Sequence, residues 1–137
     1  MTVVIDSCIA LAWCFADERS AAADAVLVQV TESGAILPSL WRLEVANALH
    51  MAVRRKRIDA AFRDASIADL GALNIDTDSE TDQHAWAGTL QLAECHQLTL
   101  YDAAYLELAQ RLKLPLATLD RELRTAAMAL GVTVLGI

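Results

Sequence analysis

The chain is predicted to be an α/β protein whose mainly parallel sheet is covered by helices on both faces. Short segments rich in β-branched residues and leucine recur along it, and longer segments with apolar residues at helical spacing separate them. Parallel strands require such crossover connections, and burial on both faces makes them almost continuously apolar. No internal repeat or low-complexity tract interrupts this alternation.

Five apolar segments have the composition of buried strands. The first, TVVI, leads directly into an aspartate, and the second is followed at once by Pro38, which cannot donate a backbone hydrogen bond. The strands are predicted at residues 2–5, 35–37, 73–75, 114–119 and 132–137.

The helices between these strands have recognisable ends. Ser20 and Ser39 are expected N-caps, and Asp78 with its neighbour Thr77 is expected to open a later helix. Gly34 and Gly131 are expected to end the helices that precede them. Helices are predicted over residues 8–16, 20–31, 40–56, 59–71, 79–95, 101–112 and 121–130.

Composition narrows the class of protein. A chain of 137 residues, 55% of them hydrophobic, is expected to fold as one domain over residues 1–137. No apolar run approaches the roughly 20 residues of a membrane span, and the start does not have the pattern of a secretory signal, so we expect a cytoplasmic protein without membrane contact. Three cysteines without a C-x-x-C motif argue against a zinc or disulfide scaffold.

Two acidic residues lie where predicted core strands end. Asp6 follows the first strand, and Asp120 follows the fourth, in the segment TLDREL. Ligands of open parallel sheets bind at the carboxyl ends of the strands. If these two strands are neighbours, both carboxylates face one crevice.

Two further acids lie on predicted helices among apolar residues. Glu44 is part of WRLEVANAL, and Asp102 is in the first turn of the helix in LTLYDAAYLELA. Each also has a structural interpretation. An acid in a first turn stabilises the helix dipole by roughly 0.3–1 kcal/mol, and Glu44 is equally consistent with the edge of a surface.

The four acids together favour a metal site. Two like charges about 5 Å apart repel by roughly 3 kcal/mol at an effective dielectric constant near 20, so a cluster of four requires a cation. An all-oxygen site without His or Cys is suited to Mg²⁺ or Mn²⁺. Such ions activate water and neutralise phosphate in phosphodiester hydrolysis. A net charge of −7 then remains compatible with a nuclease.

At these residues the chain resembles the PIN-domain ribonucleases, and in particular the VapC-type toxins of toxin–antitoxin pairs. The resemblance extends over almost the whole chain, through the segments VIDS, ALAWCFADE, LPSLWRLEVANAL, LYDAAYLELA, PLATLDREL and GVTVL. It implies a five-stranded parallel sheet of order 3-2-1-4-5 and a metal-dependent endoribonuclease. The residues matching the family's catalytic metal ligands are Asp6, Glu44, Asp102 and Asp120.

Neighbouring residues follow this pattern with one departure. The family usually has Ser or Thr two residues after the first acid, where this chain has Cys8. A thiol is a weak hydrogen-bond donor, so Asp6 is expected to be held more loosely unless Ser7 substitutes. Thr118 and Asn47 match residues that support the metal ligands in the family. Glu122 is interpreted as either a solvated acid or an additional group near the metal.

Outside the acids, a basic segment and several aromatic residues have two interpretations each. The segment Arg54-Arg55-Lys56-Arg57 either complements the helix dipole or contacts RNA phosphates. Trp13, Phe15 and Trp41 are interpreted mainly as core residues. The resemblance also implies a cognate antitoxin bound in a groove near such helices, and a homodimer.

Three other interpretations compete with a nuclease. A phosphoryl-accepting receiver domain requires an acid pair after the first strand and a lysine at a late strand end. A haloacid-type phosphatase requires D-x-D after the first strand. This chain has D-S-C there, which is neither an acid pair nor D-x-D. The remaining alternative is a non-catalytic binding module of the same fold, stabilised by metal.

Overall fold

Five short parallel strands lie at the centre of the protein, in a computed structural model that describes residues 1–136. The strands are β1 (Val4–Ile5), β2 (Ala35–Leu37), β3 (Ile75–Thr77), β4 (Leu116–Ala117) and β5 (Val134–Leu135). β4 lies between β1 and β5 in one sheet, and β2 pairs with β3 in another. In the first sheet Ile5 is opposite Ala117, and Ala117 is opposite Leu135. Residue 137, predicted in the last strand, lies outside the described residues.

The predicted single sheet of order 3-2-1-4-5 is wrong, because the described strands form a three-stranded and a two-stranded sheet. One isolated parallel bridge, between Val3 and Ala35, connects them. In this bridge the Ile36 N–H donates to the Val3 carbonyl over 3.1 Å. The next donor of such a ladder lies two residues further on, and Pro38 has no N–H to donate. Pairing between the two sheets therefore stops after one bridge.

Helices connect the strands, largely as predicted. The helices are α1 (Ser7–Cys14), α2 (Ala21–Ser33), α3 (Trp41–Arg54), α4 (Ala60–Gly71), α5 (Thr81–Ala85), α6 (Gly88–His96), α7 (Leu100–Leu112) and α8 (Arg121–Ala129). A short 3₁₀ turn, Ala16–Glu18, follows α1. Ser20 caps α2 as predicted, accepting from the Ala23 N–H over 3.1 Å. Gly34 ends that helix at a φ of 79°.

Some predicted boundaries differ from the structure. The single helix over 79–95 is two helices, interrupted at Ala87, whose φ and ψ are −122° and −105°. The third strand starts at Ile75 because the Leu73 N–H still bonds to the Leu70 carbonyl and extends the end of α4. Ser39 does not cap α3. The Trp41 N–H bonds instead to the Pro38 carbonyl, which makes a tight turn through Leu40 the start of the helix.

The core is formed around β1, β4 and α7. The residues Val3–Ile5 and Leu116–Ala117 are fully buried, and α7 is buried continuously from Ala103 to Ala109. Phe15 and Trp41 are buried, in agreement with the prediction that they belong to the core, while Trp13 is partly buried and donates its Nε1–H to the Ala23 carbonyl. Among the described helices, none is long and apolar enough to cross a membrane.

Candidate functional site

Asp6 and Asp120 lie at the same edge of the sheet. Asp6 directly follows β1 and is the N-cap of α1, where its carboxylate accepts from the Ile9 N–H. Asp120 follows β4 and caps α8 by accepting from the Leu123 N–H. Because β1 and β4 are parallel neighbours, their carboxyl ends are adjacent, as the sequence predicted conditionally. The apolar strand ends on an acid because that acid starts the next helix.

Thr118 connects these two acids. Its side chain is fully buried and donates to Asp6 Oδ2 over 2.5 Å. The same hydroxyl accepts from the backbone N–H of Asp120 over 3.0 Å. One hydroxyl therefore sets the position of the Asp6 carboxylate relative to the start of α8, which is the supporting position predicted for Thr118.

Cys8 forms a hydrogen bond with the second carboxylate oxygen of Asp6. Its thiol donates to Asp6 Oδ1 over 2.7 Å and accepts from the Leu119 N–H over 3.4 Å. Ser7 does not substitute for it, because Cys8 itself donates to Asp6, and within residues 1–136 the Ser7 side chain forms no hydrogen bond with that carboxylate. Both oxygens of Asp6 thus accept hydrogen bonds from side chains.

Burial dominates the electrostatics of Asp6. It raises the pKa of this carboxyl to about 6, because the charged form loses hydration. Hydrogen bonds from Cys8, Thr118 and Ile9 lower the pKa without offsetting the effect of burial, and the Asp102 carboxylate raises it further. Asp6 is therefore held in an environment that disfavours its negative charge.

Asp102 lies in the first turn of α7. Thr99 is the N-cap of that helix, since its hydroxyl accepts from the Asp102 N–H over 3.1 Å. Burial is the main cause of the raised pKa of Asp102, and the negative charges of Asp120 and Glu122 raise it further. A hydrogen bond with Thr99 lowers it. Asp102 is thus not the cap of α7, although it does lie at the positive end of the helix dipole.

Glu44 lies in the first turn of α3 and is half-buried. The Tyr105 hydroxyl donates to its Oε1 over 2.6 Å. Burial raises the pKa of Glu44, the hydrogen bond from Tyr105 lowers it, and the charge of Asp102 raises it again. Burial of Tyr105 and its contact with the Glu44 carboxylate strongly raise the pKa of the tyrosine hydroxyl, which therefore stays protonated and remains a donor.

Asp102 is the common neighbour of the other acids. Its charge acts on Asp6 and Glu44, and it is itself acted on by Asp120 and Glu122. Within residues 1–136, no positive side chain is among the groups that shift the pKa values of Asp6, Glu44 or Asp102. An all-oxygen donor set whose charges are uncompensated fits a hard divalent cation. The acids do not, however, form a ready-made ligand shell, since the described residues contain no group of three or more His, Cys, Asp or Glu side chains arranged to hold a metal.

The remaining predicted residues lie further out. Asn47 and Glu122 are both exposed. Asn47 lines a groove of about 390 Å³ together with Phe15, Met51 and Arg55, and it forms no hydrogen bond with Glu44 within the described part of the chain. The expected support of Glu44 by Asn47 is therefore not seen.

The basic segment is divided by its contacts. Arg57 donates to Asp17 and Glu18, each over 2.7 Å, and its guanidinium lies 3.9 Å from the centre of the Phe15 ring. Arg54, Arg55 and Lys56 are exposed and form no ion pair with any residue among 1–136. Of the four residues in this segment, these three therefore have no acidic partner among residues 1–136.

Sequence reasoning missed Tyr105 as part of this site. The signal was present, because Tyr105 follows Asp102 by three residues, and residues at that spacing share a face of a helix. Nothing local indicates that its partner is Glu44, which is 61 residues away along the chain.

Comparison with known proteins agrees with this architecture. A family model described as the PIN domain matches residues 3–128. The structure is similar to the crystal structure of PAE2754 from Pyrobaculum aerophilum, with a TM-score of 0.70 and 23% sequence identity, over 98% of this chain and 83% of that chain. At this identity the likeness concerns the fold alone. No curated protein sequence matches the chain.

Proposed function

The chain belongs to the PIN domain family, typically metal-dependent nucleases that act on RNA, and we propose that it is a metal-dependent endoribonuclease, the toxin of a VapBC-type toxin–antitoxin pair. One observation carries the proposal. Acids from four separate elements act on one another through Asp102, with no cation among the protein groups that shift the pKa values of Asp6, Glu44 or Asp102 within residues 1–136.

Under this proposal Asp6, Asp102 and Asp120 bind Mg²⁺ or Mn²⁺ directly, and Glu44 completes or bridges the site. Carboxylate oxygens are the ligands these ions prefer. The raised pKa values of Asp6, Glu44 and Asp102 support the assignment, because a divalent cation would remove the unfavourable environment of their negative charges.

The chemistry follows from this charge arrangement. When bound, such a cation lowers the pKa of a water molecule and neutralises the charge that develops on the attacked phosphate. The carboxylates would hold the ion. Thr118 and Cys8 donate hydrogen bonds to Asp6, and Tyr105 donates one to Glu44. We assign no His or Lys as general base. The proposed products carry a 5′-phosphate and a 3′-hydroxyl.

The exposed basic residues at the end of α3 are proposed to contact the RNA backbone. Glu44 lies in the first turn of α3 and Arg55 is its C-cap, 11 residues later, so they are separated by about three turns, or about 16 Å along the axis. Asn47, Met51 and Arg55 line one groove, and Asn47 is about one helical turn from Glu44. An RNA strand in this groove would lead from the basic end to the acids.

The proposed partners are a cognate antitoxin and a second copy of the chain, in the cytoplasm. An apolar cavity of about 410 Å³ supports the first, because Trp13, Leu27, Phe62 and Leu70 line it beside α1, α2 and α4. A groove of this kind suits an apolar segment of a partner protein. Co-purification of a small protein encoded by a neighbouring gene would support the assignment, and its absence under native expression would count against it.

The proposed activity is tested by incubating total RNA with purified protein and Mg²⁺, and mapping the cleavage sites. We expect cleavage by the wild-type protein, no cleavage after chelation by EDTA, and a loss of at least a hundredfold in Asp102→Asn. Asp64→Asn, a change in an exposed acid of α4, is the matched control and should cleave normally. Full activity of Asp102→Asn would refute the assignment. Loss of stability with EDTA but no cleavage would identify the non-catalytic binding module.

A further inference from the structure

Tyr105 is buried on the face of α7 that also carries Asp102. Its side chain has no exposed surface, and the two residues are three positions apart. A buried tyrosine hydroxyl requires a hydrogen-bond partner, because leaving it unpaired costs the full desolvation of the group. The choice of partner therefore determines which element α7 fixes.

The partner is a side chain of the proposed metal site. The hydroxyl donates to Glu44 Oε1 over 2.6 Å, a short bond of the kind formed with charged acceptors. No other protein donor contacts the Glu44 carboxylate within residues 1–136. Oε1 is therefore held by Tyr105, and Oε2 is the oxygen left for another ligand.

The side chain of Ser7 is close to the same hydroxyl, since it lowers the pKa of Tyr105. Ser7 directly follows Asp6 at the start of α1. The Tyr105 hydroxyl thus lies near the start of α1 and is bonded to the first turn of α3. A flexible glutamate of α3 is fixed through the rigid ring of a buried residue of α7.

We propose that Tyr105 is a positioning residue, whose hydroxyl holds Glu44 so that one carboxylate oxygen is directed to a divalent cation shared with Asp102. This inference rests on the proposed metal-dependent function and adds to it a residue that acts only through Glu44. Residues that orient metal ligands typically change affinity by about 10- to 100-fold when removed.

The first test is Mn²⁺ binding measured by calorimetry without RNA. Tyr105→Phe removes only the hydroxyl and should weaken binding about tenfold, whereas Tyr101→Phe, an exposed tyrosine of the same helix, should bind as wild type. In a Glu44→Gln background, Tyr105→Phe should cause no further loss. Unchanged affinity in Tyr105→Phe would overturn the positioning role alone. Failure of the wild-type protein to bind Mn²⁺ would refute the metal site itself.

A second measurement retains the Tyr105 hydroxyl. The chain has two tyrosines, so Tyr101→Phe labelled with 3-fluorotyrosine carries a single fluorine reporter, at position 105. Mg²⁺ should shift its ¹⁹F resonance, and Glu44→Gln should abolish the shift. If the resonance does not move at Mg²⁺ concentrations at which binding of the ion has been measured, the proposal is overturned.

Discussion

At the scale of single residues, Asp6 shows how this fold combines a structural and a chemical role in one side chain. It caps α1, and its two carboxylate oxygens accept from a thiol and a hydroxyl. These bonds fix its orientation, yet burial still raises the pKa of the carboxyl to about 6. The hydrogen bonds position the carboxylate, while burial makes its negative charge unfavourable.

This charge predicts a pH dependence of stability in metal-free protein. Between pH 3.8 and about 6 the folded state holds a proton that the unfolded state has lost, so the free energy of unfolding falls as pH rises through this window. The expected loss is about 3 kcal/mol, and it is complete above the folded-state pKa. The raised pKa values of Glu44 and Asp102 act in the same direction.

Urea unfolding of EDTA-treated protein at several pH values between 4 and 7 measures this effect. Asp6→Asn should flatten the dependence, because asparagine can still cap the helix but does not titrate. Asp64→Asn, at an exposed position, controls for the change in net charge. A slope that is unchanged in Asp6→Asn would show that Asp6 is not its source.

At the scale of elements, α7 is held by one arginine as well as by its apolar face. Arg111 donates to Glu107 over 2.6 Å and to Asp78 over 2.7 Å, and both acids are buried. Asp78 was predicted to open a helix. It is not the N-cap of α5, but it accepts from the Glu80 N–H and from the hydroxyl of Thr81, the first residue of that helix, and it also joins the segment after β3 to the end of α7. Arg111 therefore ties the helix that carries Asp102 to the β2–β3 sheet.

Replacing Arg111 with methionine should destabilise the protein by about 3–5 kcal/mol, because two buried carboxylates lose their counter-charge. The control is Arg63→Met, which removes an exposed ion pair with Asp64 and should cost less than about 1 kcal/mol. Both values are obtained from chemical denaturation at neutral pH. Equal small losses in the two variants would contradict a supporting role for Arg111.

The end of α3 permits a separate prediction on RNA binding. Changing Arg54, Arg55 and Lys56 to glutamine should lower the slope of log affinity against log salt by about 2, since each lost contact with a single strand contributes about 0.7. Arg57→Gln is the control, because that guanidinium is already paired with Asp17 and Glu18. Filter binding with a catalytically inactive protein measures the slope. If the triple variant keeps the wild-type slope, these residues do not contact RNA, and their role is to complement the helix dipole.

At the scale of the whole molecule, the acidic balance becomes a test of specific cation binding. With a net charge of −7, any salt should reduce repulsion to some extent. A bound divalent ion adds a separate gain of about 2.7 kcal/mol at a concentration 100 times its dissociation constant. Mg²⁺ should thus raise the melting temperature above that in NaCl of equal ionic strength, and Asp102→Asn should lose the difference. Identical melting in the two salts would argue against a specific site.

The sequence by itself determined the class of fold and the position of the acids along it. Hydrophobic periodicity and local caps predict most helices, because these signals depend on residues three or four positions apart. Asp6 and Asp120 follow buried strands, and this order alone predicts their proximity once the strands are neighbours. The resemblance also singled out Thr118, two residues before Asp120, and the structure shows it bonded to both Asp6 and the Asp120 backbone, while its support of a metal ligand stays a prediction.

Tertiary structure decided the partners. Tyr105 bonds to Glu44, 61 residues away along the chain, and Thr118 bonds to Asp6, 112 residues away. Arg57 of the basic segment is paired with acids about 40 residues away. The division into two sheets likewise depends on Pro38 lying beside β1, where its missing N–H interrupts the ladder. Such contacts arise only when distant segments meet, because hydrogen bonds and ion pairs act over a few ångströms, whereas the local pattern extends only a few residues along the chain.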